Sequence, residues 1–310
     1  MSASITASSP SGSRGPTIVL LLSASLWGLT WWPLKRFGEA GLSGPALSLL
    51  TYGVVGLFGW VLLLRQRPAW RSQTGLLILL ALVGGWANTA FVNALMLGDV
   101  VRTMFLFYLS PVWSVLGGWL ILGETVRPRR AAAVGLALLG LWFVIGGTRV
   151  LDSAPSTSDM LALSAGLAFA GNNIIARAGQ QIPMLSKTAS VFVGCGVLSA
   201  ATVWLMDLPL PGAAALASPL GLGLLVYGFG WLVLVTATWQ YGVTHLEAGR
   251  AGVVLMVELL VAVLSATLLG DERLAPAEWL GGALIAAGAL LEATDGGEAR
   301  ARVDPLEKTA

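Results

Sequence analysis

Charge is what this chain has least of. Asp, Glu, Lys and Arg make up 11% of its 310 residues, against 56% hydrophobic, where soluble domains run near 25% and 45–50%. A soluble protein of this length has too few charges to cover its core. Cys195 is the only cysteine and His245 the only histidine. The first excludes an intrachain disulfide and a cysteine metal site, and the second leaves little scope for metal or triad chemistry, so no metal and no cofactor are expected. No G-x-x-x-x-G-K-[ST] stretch is present to hold ATP phosphates, nor H-E-x-x-H, nor G-x-S-x-G. The formal net charge of +2 provides no basic field, and nucleic acid is not an expected partner.

Long apolar runs are what the chain does have. Ten are expected as spans, at 17–34, 43–64, 75–97, 100–122, 130–147, 159–178, 188–206, 219–239, 249–269 and 277–291. Most approach the roughly 20 residues needed to cross a hydrocarbon layer of about 30 Å. The run after Arg14 is too long for a signal peptide and is read as a retained first span. Gly, Pro and short charged runs separate the segments. The longest break, 149–158, carries Asp152, Pro155 and several Ser and Thr, and reads as a linker between halves. The expected organisation is a disordered tail at 1–16, a first repeat at 17–148, the linker, a second repeat at 159–292 and a tail at 293–310.

The halves share a pattern. Arg102 recurs as Arg250, Asp99 as Glu247, Glu124 as Glu272 and Pro128 as Pro276, each 148 positions on. Nearer the start, SASLWGLTWWPLKRFG (23–38) aligns without gaps to SAGLAFAGNNIIARAG (164–179), here 141 positions on, because loop lengths differ. Five spans per half is an odd number, so the second half enters the membrane upside down, as an inverted repeat. With both termini inside, 13 of the 18 Lys and Arg residues fall on the cytoplasmic side, as positive-inside topology demands. The Arg65–Arg67 and Arg127–Arg130 clusters are then membrane anchors, with anionic lipid contact a secondary role.

FYLSPVW (107–113) running into LILGET (120–125), and ELLVAVLSATLLGDE (258–272), resemble the EamA-type branch of the drug/metabolite transporter superfamily. The resemblance covers about 17–291. It implies an all-α membrane protein of ten helices in two inverted five-helix repeats. It further implies a cavity between the halves lined by the first, third, fourth, sixth, eighth and ninth spans, and export of small metabolites, often amino acids. Localisation follows as multi-pass in the cell membrane, a bacterial inner membrane, with both termini cytoplasmic. One departure stands out: Leu259 follows Glu258 where members often carry Pro, as Pro111 follows Ser110 in the fourth span.

Glu258 is the most informative residue. It lies near the middle of the ninth span, where an ionised carboxylate is costly. It reads as a proton-coupling or substrate-amine site; the alternative is a structural hydrogen bond. Arg102 and Arg250 open the fourth and ninth spans and are gating or interface candidates, with Asp99 and Glu247 nearby to help them snorkel. Asn172 and Asn173 in the sixth span, Asn93 (with Asn88) in the third, and Gln240 and Tyr241 (with Thr236) near the end of the eighth form a polar set for substrate or interhelical bonding. Trp27, Trp86, Trp113 and Tyr108 sit deep enough to line a cavity. Trp70, Trp142 and Trp279 suit the interfacial belt.

These residues point to a gradient-driven or facilitative exporter of a small amphipathic metabolite, an amino acid or related compound. Its partners are the small-molecule substrate, the lipid bilayer and, through Glu258, protons. The alternatives are a lipid or lipid-carrier flippase on the same fold, an intramembrane enzyme, and a purely structural or receptor role that leaves Glu258 unexplained.

Overall fold

The computed structural model describes residues 14–122, 128–144, 155–245, 248–270 and 272–307. Among these, every regular element is helical. The first expected span consists of α1 (Arg14–Gly28) and α2 (Trp31–Glu39). The second holds α3 (Gly44–Ser48), a π-helical turn at Leu49–Gly53 and α4 (Val54–Arg65). Short α5 (Arg67–Trp70) and a 3₁₀ turn lead into α6 (Thr74–Leu97). Then come α7 (Val100–Phe107), α8 (Ser110–Leu122) and α9 (Pro128–Val144). The second half comprises α10 (Thr157–Ala178), α11 (Met184–Leu205), single-turn α12 (Ala213–Leu216), α13 (Pro219–Leu225), a π-helical segment Val226–Leu232, α14 (Val233–His245), α15 (Ala248–Leu269) and α16 (Pro276–Glu307).

Seven helical stretches among the described residues are long and apolar enough to cross a membrane, and Ala131–Val144, Met256–Leu269 and Pro276–Leu291 are shorter apolar helices. Leu57, Phe58, Trp60, Leu120 and Leu268 project outward. In water such an exterior drives aggregation, whereas lipid tails match it. This is a multi-pass, all-helical membrane protein.

Prolines explain where spans break. The first span, expected as one run, turns at Leu29–Thr30, and the fourth turns at Tyr108–Leu109. Pro33 and Pro111 cannot donate to the carbonyls of Leu29 and Phe107 four residues earlier, so the helix ladder loses a rung there. Leu259 stands at the corresponding place in α15, which runs unbroken through it. The sixth span begins earlier than its apolar run, because Ser156 and Asp159 form a capping box: Ser156 Oγ accepts from the Asp159 backbone N–H at 3.1 Å, and the Asp159 carboxylate accepts from Ser156 N–H at 3.1 Å. Apolar sequence ends at Leu291, yet α16 continues to Glu307.

Contacts join ends that alternating spans place on one side. At one end, both oxygens of Glu272 accept backbone hydrogen bonds from Val100 and Val101, at 2.7 and 3.0 Å. A carboxylate from the C-terminal half thus neutralises the start of α7. At the same end Lys35 donates to the Gly98 carbonyl at 2.7 Å. At the other, Gln66 meets Ser186 at 2.5 Å, and Gln73 meets Gln181 at 3.2 Å.

Close backbone approach ties α9 to α16. A Cβ on Gly140 would stand 2.5 Å from the Gly281 carbonyl oxygen, and one on Gly288 would stand 2.6 Å from that of Ala133. Gly288 and Gly281 lie 148 positions after Gly140 and Ala133. The two contacts therefore exchange under the sequence offset.

Candidate functional site

A cavity of about 200 Å³ lies between the halves. From the N-terminal half it is lined by Trp27 of α1, Tyr52 of the Leu49–Gly53 π turn, Ala87, Asn88 and Phe91 of α6, and Phe107 of α7. From the C-terminal half come Phe169 of α10, Thr188, Val191 and Phe192 of α11, Thr236 and Trp239 of α14, and Glu258 of α15. Aromatic contacts bridge the halves. The Phe107 and Phe169 rings lie 5.4 Å apart, and those of Tyr52 and Phe192 5.6 Å apart. Such tilted pairs sit in the favoured range for ring packing.

Glu258 is 6% exposed and occupies the middle of α15. Tyr108, in the turn between α7 and α8 made by Pro111, hydrogen-bonds to its carboxyl group, so a broken helix supplies the partner of the acid in the unbroken α15. Gly28 lets α1 lie directly on α15: a Cβ there would be 2.6 Å from the Glu258 carbonyl oxygen and 2.9 Å from Val261 Cβ. The Trp31 indole donates to Ser265 Oγ at 2.9 Å, Ser23 Oγ to the Val235 carbonyl at 2.9 Å, and the Trp231 indole to Thr30 Oγ1 at 3.1 Å. These bonds hold α1 and α2 against Val226–Leu232, α14 and α15, and Trp27 lines the same space as Glu258.

The description "EamA-like transporter family" is that of a family model matching residues 16–146 and again 156–293. This chain belongs to that family. Membership makes it a transporter and not an enzyme. "Uncharacterized transporter YwfM" of Bacillus subtilis is 28% identical over 201 residues, 63% of this chain and 64%, less than two thirds, of that protein. "Probable terminal-alkyne amino-acid exporter" of Streptantibioticus cattleyicolor is 29% identical over 296 residues, 87% of this chain and 93% of that one. A solved crystal structure, 17% identical, superposes with a TM-score of 0.59 over 90% of this chain and 98% of its own, which speaks for the fold alone.

Within this EamA chain, Glu258 and Trp27 line the cavity and Tyr108 reaches Glu258 from behind it. Other candidates lie elsewhere. Trp86 is 40% exposed: Ala87, Asn88 and Phe91 occupy the inner face of α6 at helical spacing, and Trp86 falls outside that stripe. Asn93 is buried but donates to the Thr89 carbonyl at 2.7 Å and backs onto Gly44 of α3. Tyr241 is exposed, its ring 4.2 Å from that of His245, and Gln240 is half-buried beside it; Thr236 and Trp239 take the inward face of α14. Asn172 turns its oxygen toward Gly84, where a Cβ would stand 2.5 Å away, and Asn173 is half-buried next to it; neither lines the cavity. The Trp113 indole nitrogen is buried without a partner among the described residues.

Arg102 differs from its expected snorkelling beside Asp99. Its guanidinium binds Asp159 and the Val144 carbonyl, because the ends of α9 and α10 converge on α7 and offer acceptors nearer than bulk water. The side chain of Arg250 lies outside the described residues.

The second and seventh spans were not expected to line the site, yet Tyr52, Thr188, Val191 and Phe192 do. Phe91 and Trp239 were legible in principle. Each stands three residues after a polar candidate, Asn88 and Thr236, on the same helix face.

Proposed function

We propose that this EamA transporter is a gradient-driven or facilitative exporter of a small amphipathic metabolite, an amino acid or related compound, working by alternating access around the cavity. The observation that carries this reading is Glu258. It is an acid buried at mid-helix, it faces a cavity built from both halves, and Tyr108 of the opposite half binds it. An intramembrane carboxyl group so placed is the natural carrier of a coupling proton.

The reading includes ten spans in two inverted repeats, 17–148 and 159–292, joined by a linker at 149–158 and flanked by cytoplasmic tails at 1–16 and 293–310, in the cell membrane of a bacterium. The reciprocal packing of Gly140 on Gly281 and Gly288 on Ala133 supports it, since a twofold relation between halves maps one contact onto the other. Similarity to a probable amino-acid exporter favours the substrate class. A volume of about 200 Å³, below the roughly 300–1,000 Å³ of common ligand pockets, suits a small solute better than a lipid. Trp27 and the aromatic walls bind the solute body, and Glu258 with Tyr108 handles the proton.

The test is counterflow in proteoliposomes loaded with a mixture of amino acids and their derivatives. Exchange of labelled solute supports the reading, and its absence from vesicles holding folded protein overturns it.

A further inference from the structure

We infer that the solute bound beside Glu258 carries an ammonium group on a flat apolar body and has no free carboxylate: an aryl-alkyl amine, or an amino-acid amide or ester. This rests on the transporter reading above and, among its small amphipathic metabolites, selects the related compounds over the free amino acids.

The lining is one-sided in charge. Glu258 supplies a carboxyl group, and no Lys, Arg or His is among the described residues that line the cavity. The described cations on two of the lining helices, α11 and α7, are engaged elsewhere. Lys187, adjacent to lining residue Thr188, donates to the Ala176 carbonyl at 2.7 Å. Arg102 is held by Asp159 at 2.7 Å. Arg250, whose side chain lies outside the described residues, begins two turns from Glu258 along α15, about 12 Å at 1.5 Å per residue.

A zwitterion entering this space would place its ammonium well and its carboxylate badly. A carboxylate taken from water and set beside another carboxyl group needs a cation, or its desolvation and the like-charge repulsion go uncompensated. The donors in the lining are all neutral: the Tyr52, Thr188 and Thr236 hydroxyls, the Trp27 and Trp239 indoles, and the Asn88 amide, one N–H of which goes to the Gly84 carbonyl at 2.9 Å. The walls oppose an anion as well. Trp27, Trp239, Phe107 and Phe169 line the cavity, and the face of an aromatic ring is negative. That same face attracts an ammonium group, and indole does so best. An amine is therefore met by Glu258 and by aromatic side chains, while a free carboxylate meets a like charge and no described lining cation.

Size agrees. About 200 Å³, below the roughly 300–1,000 Å³ of common ligand pockets, admits one ring and a short chain.

The experiment is titration calorimetry on the purified full chain in detergent, with four ligands that share one ring: 2-phenylethylamine, phenylalaninamide, phenylalanine and 3-phenylpropionate. The amine and the amide are expected to bind at least ten-fold more tightly than phenylalanine, and phenylpropionate not at all. Glu258→Gln, checked for an unchanged melting profile, should weaken the amine at least ten-fold. Should that variant fail to fold, the wild-type ranking alone decides. Phenylalanine binding as well as or better than the amine overturns the inference and leaves the transporter reading standing. Failure of all four ligands also overturns it, and counterflow with the mixed solutes then judges the transporter reading by itself.

Discussion

Arg102 grips Asp159 through two parallel hydrogen bonds, Nε to Oδ1 at 2.7 Å and Nη2 to Oδ2 at 3.0 Å. Its remaining Nη1 donates to the Val144 carbonyl at 2.7 Å, so one guanidinium fastens α7 to the end of α9 and the start of α10. Lysine keeps the charge but loses the fork. Arg102→Lys and Asp159→Asn should each cost about 1–3 kcal/mol, and the double variant less than their sum. Thermal unfolding in detergent, arranged as a double-mutant cycle, measures the coupling. Additive losses would mean the pair contributes nothing as a pair.

Gly28 faces the backbone of α15 with no room for a side chain. Gly28→Val should push α1 away from Glu258, lower stability by about 1–3 kcal/mol and reduce transport more than expression. Gly15, whose Cβ would meet nothing within 4 Å, is the control. Its conversion to Val should leave transport near wild type.

Trp27 lines the cavity and Trp86 faces outward. Trp27→Ala should cut transport at least ten-fold at sub-saturating substrate. Trp86→Ala should change it less than two-fold. Equal effects in a transport assay corrected for folded protein would remove Trp27 from the site.

Glu258→Gln keeps size and hydrogen bonding while removing the titratable proton. It should abolish accumulation driven by a pH gradient, whereas counterflow at saturating substrate, which needs no net proton movement, should persist. Proteoliposomes with and without an imposed gradient separate the two. Undiminished pH-driven uptake in the Gln variant would make Glu258 a structural residue.

The charge asymmetry along the chain predicts cytoplasmic termini. A periplasm-dependent reporter fused after Ala310 should be inactive, and the same reporter inserted within 149–158 should be active. The opposite pattern would invert the orientation while leaving the helix packing untouched.

Much of this was legible in residues close together along the chain. Low charge and long apolar runs declare a membrane protein because burial in lipid is additive over a segment and needs no tertiary partner. Pro33 and Pro111 mark helix breaks because a missing N–H acts locally. Glu258 was conspicuous because an acid amid apolar neighbours is costly wherever the helix ends up. Trp86 was misplaced for the converse reason. A helix apolar on all sides has no stripe to tell lipid from cavity, and only the position of its neighbours selected Ala87, Asn88 and Phe91 as the inner face.

The sequence by itself determined the membrane environment, the doubled charged signature and the solitary mid-span acid, all properties of composition or of fixed spacing. Tertiary structure decided which groups meet across distance: Asp159 with Arg102, Glu272 with the start of α7, Tyr108 with Glu258, and the second and seventh spans around the cavity. Those pairings depend on how whole helices cross. Crossings are set by small residues such as Gly28, Gly140 and Gly288 that let backbones touch, and no periodicity within a single helix encodes the partner on the other side.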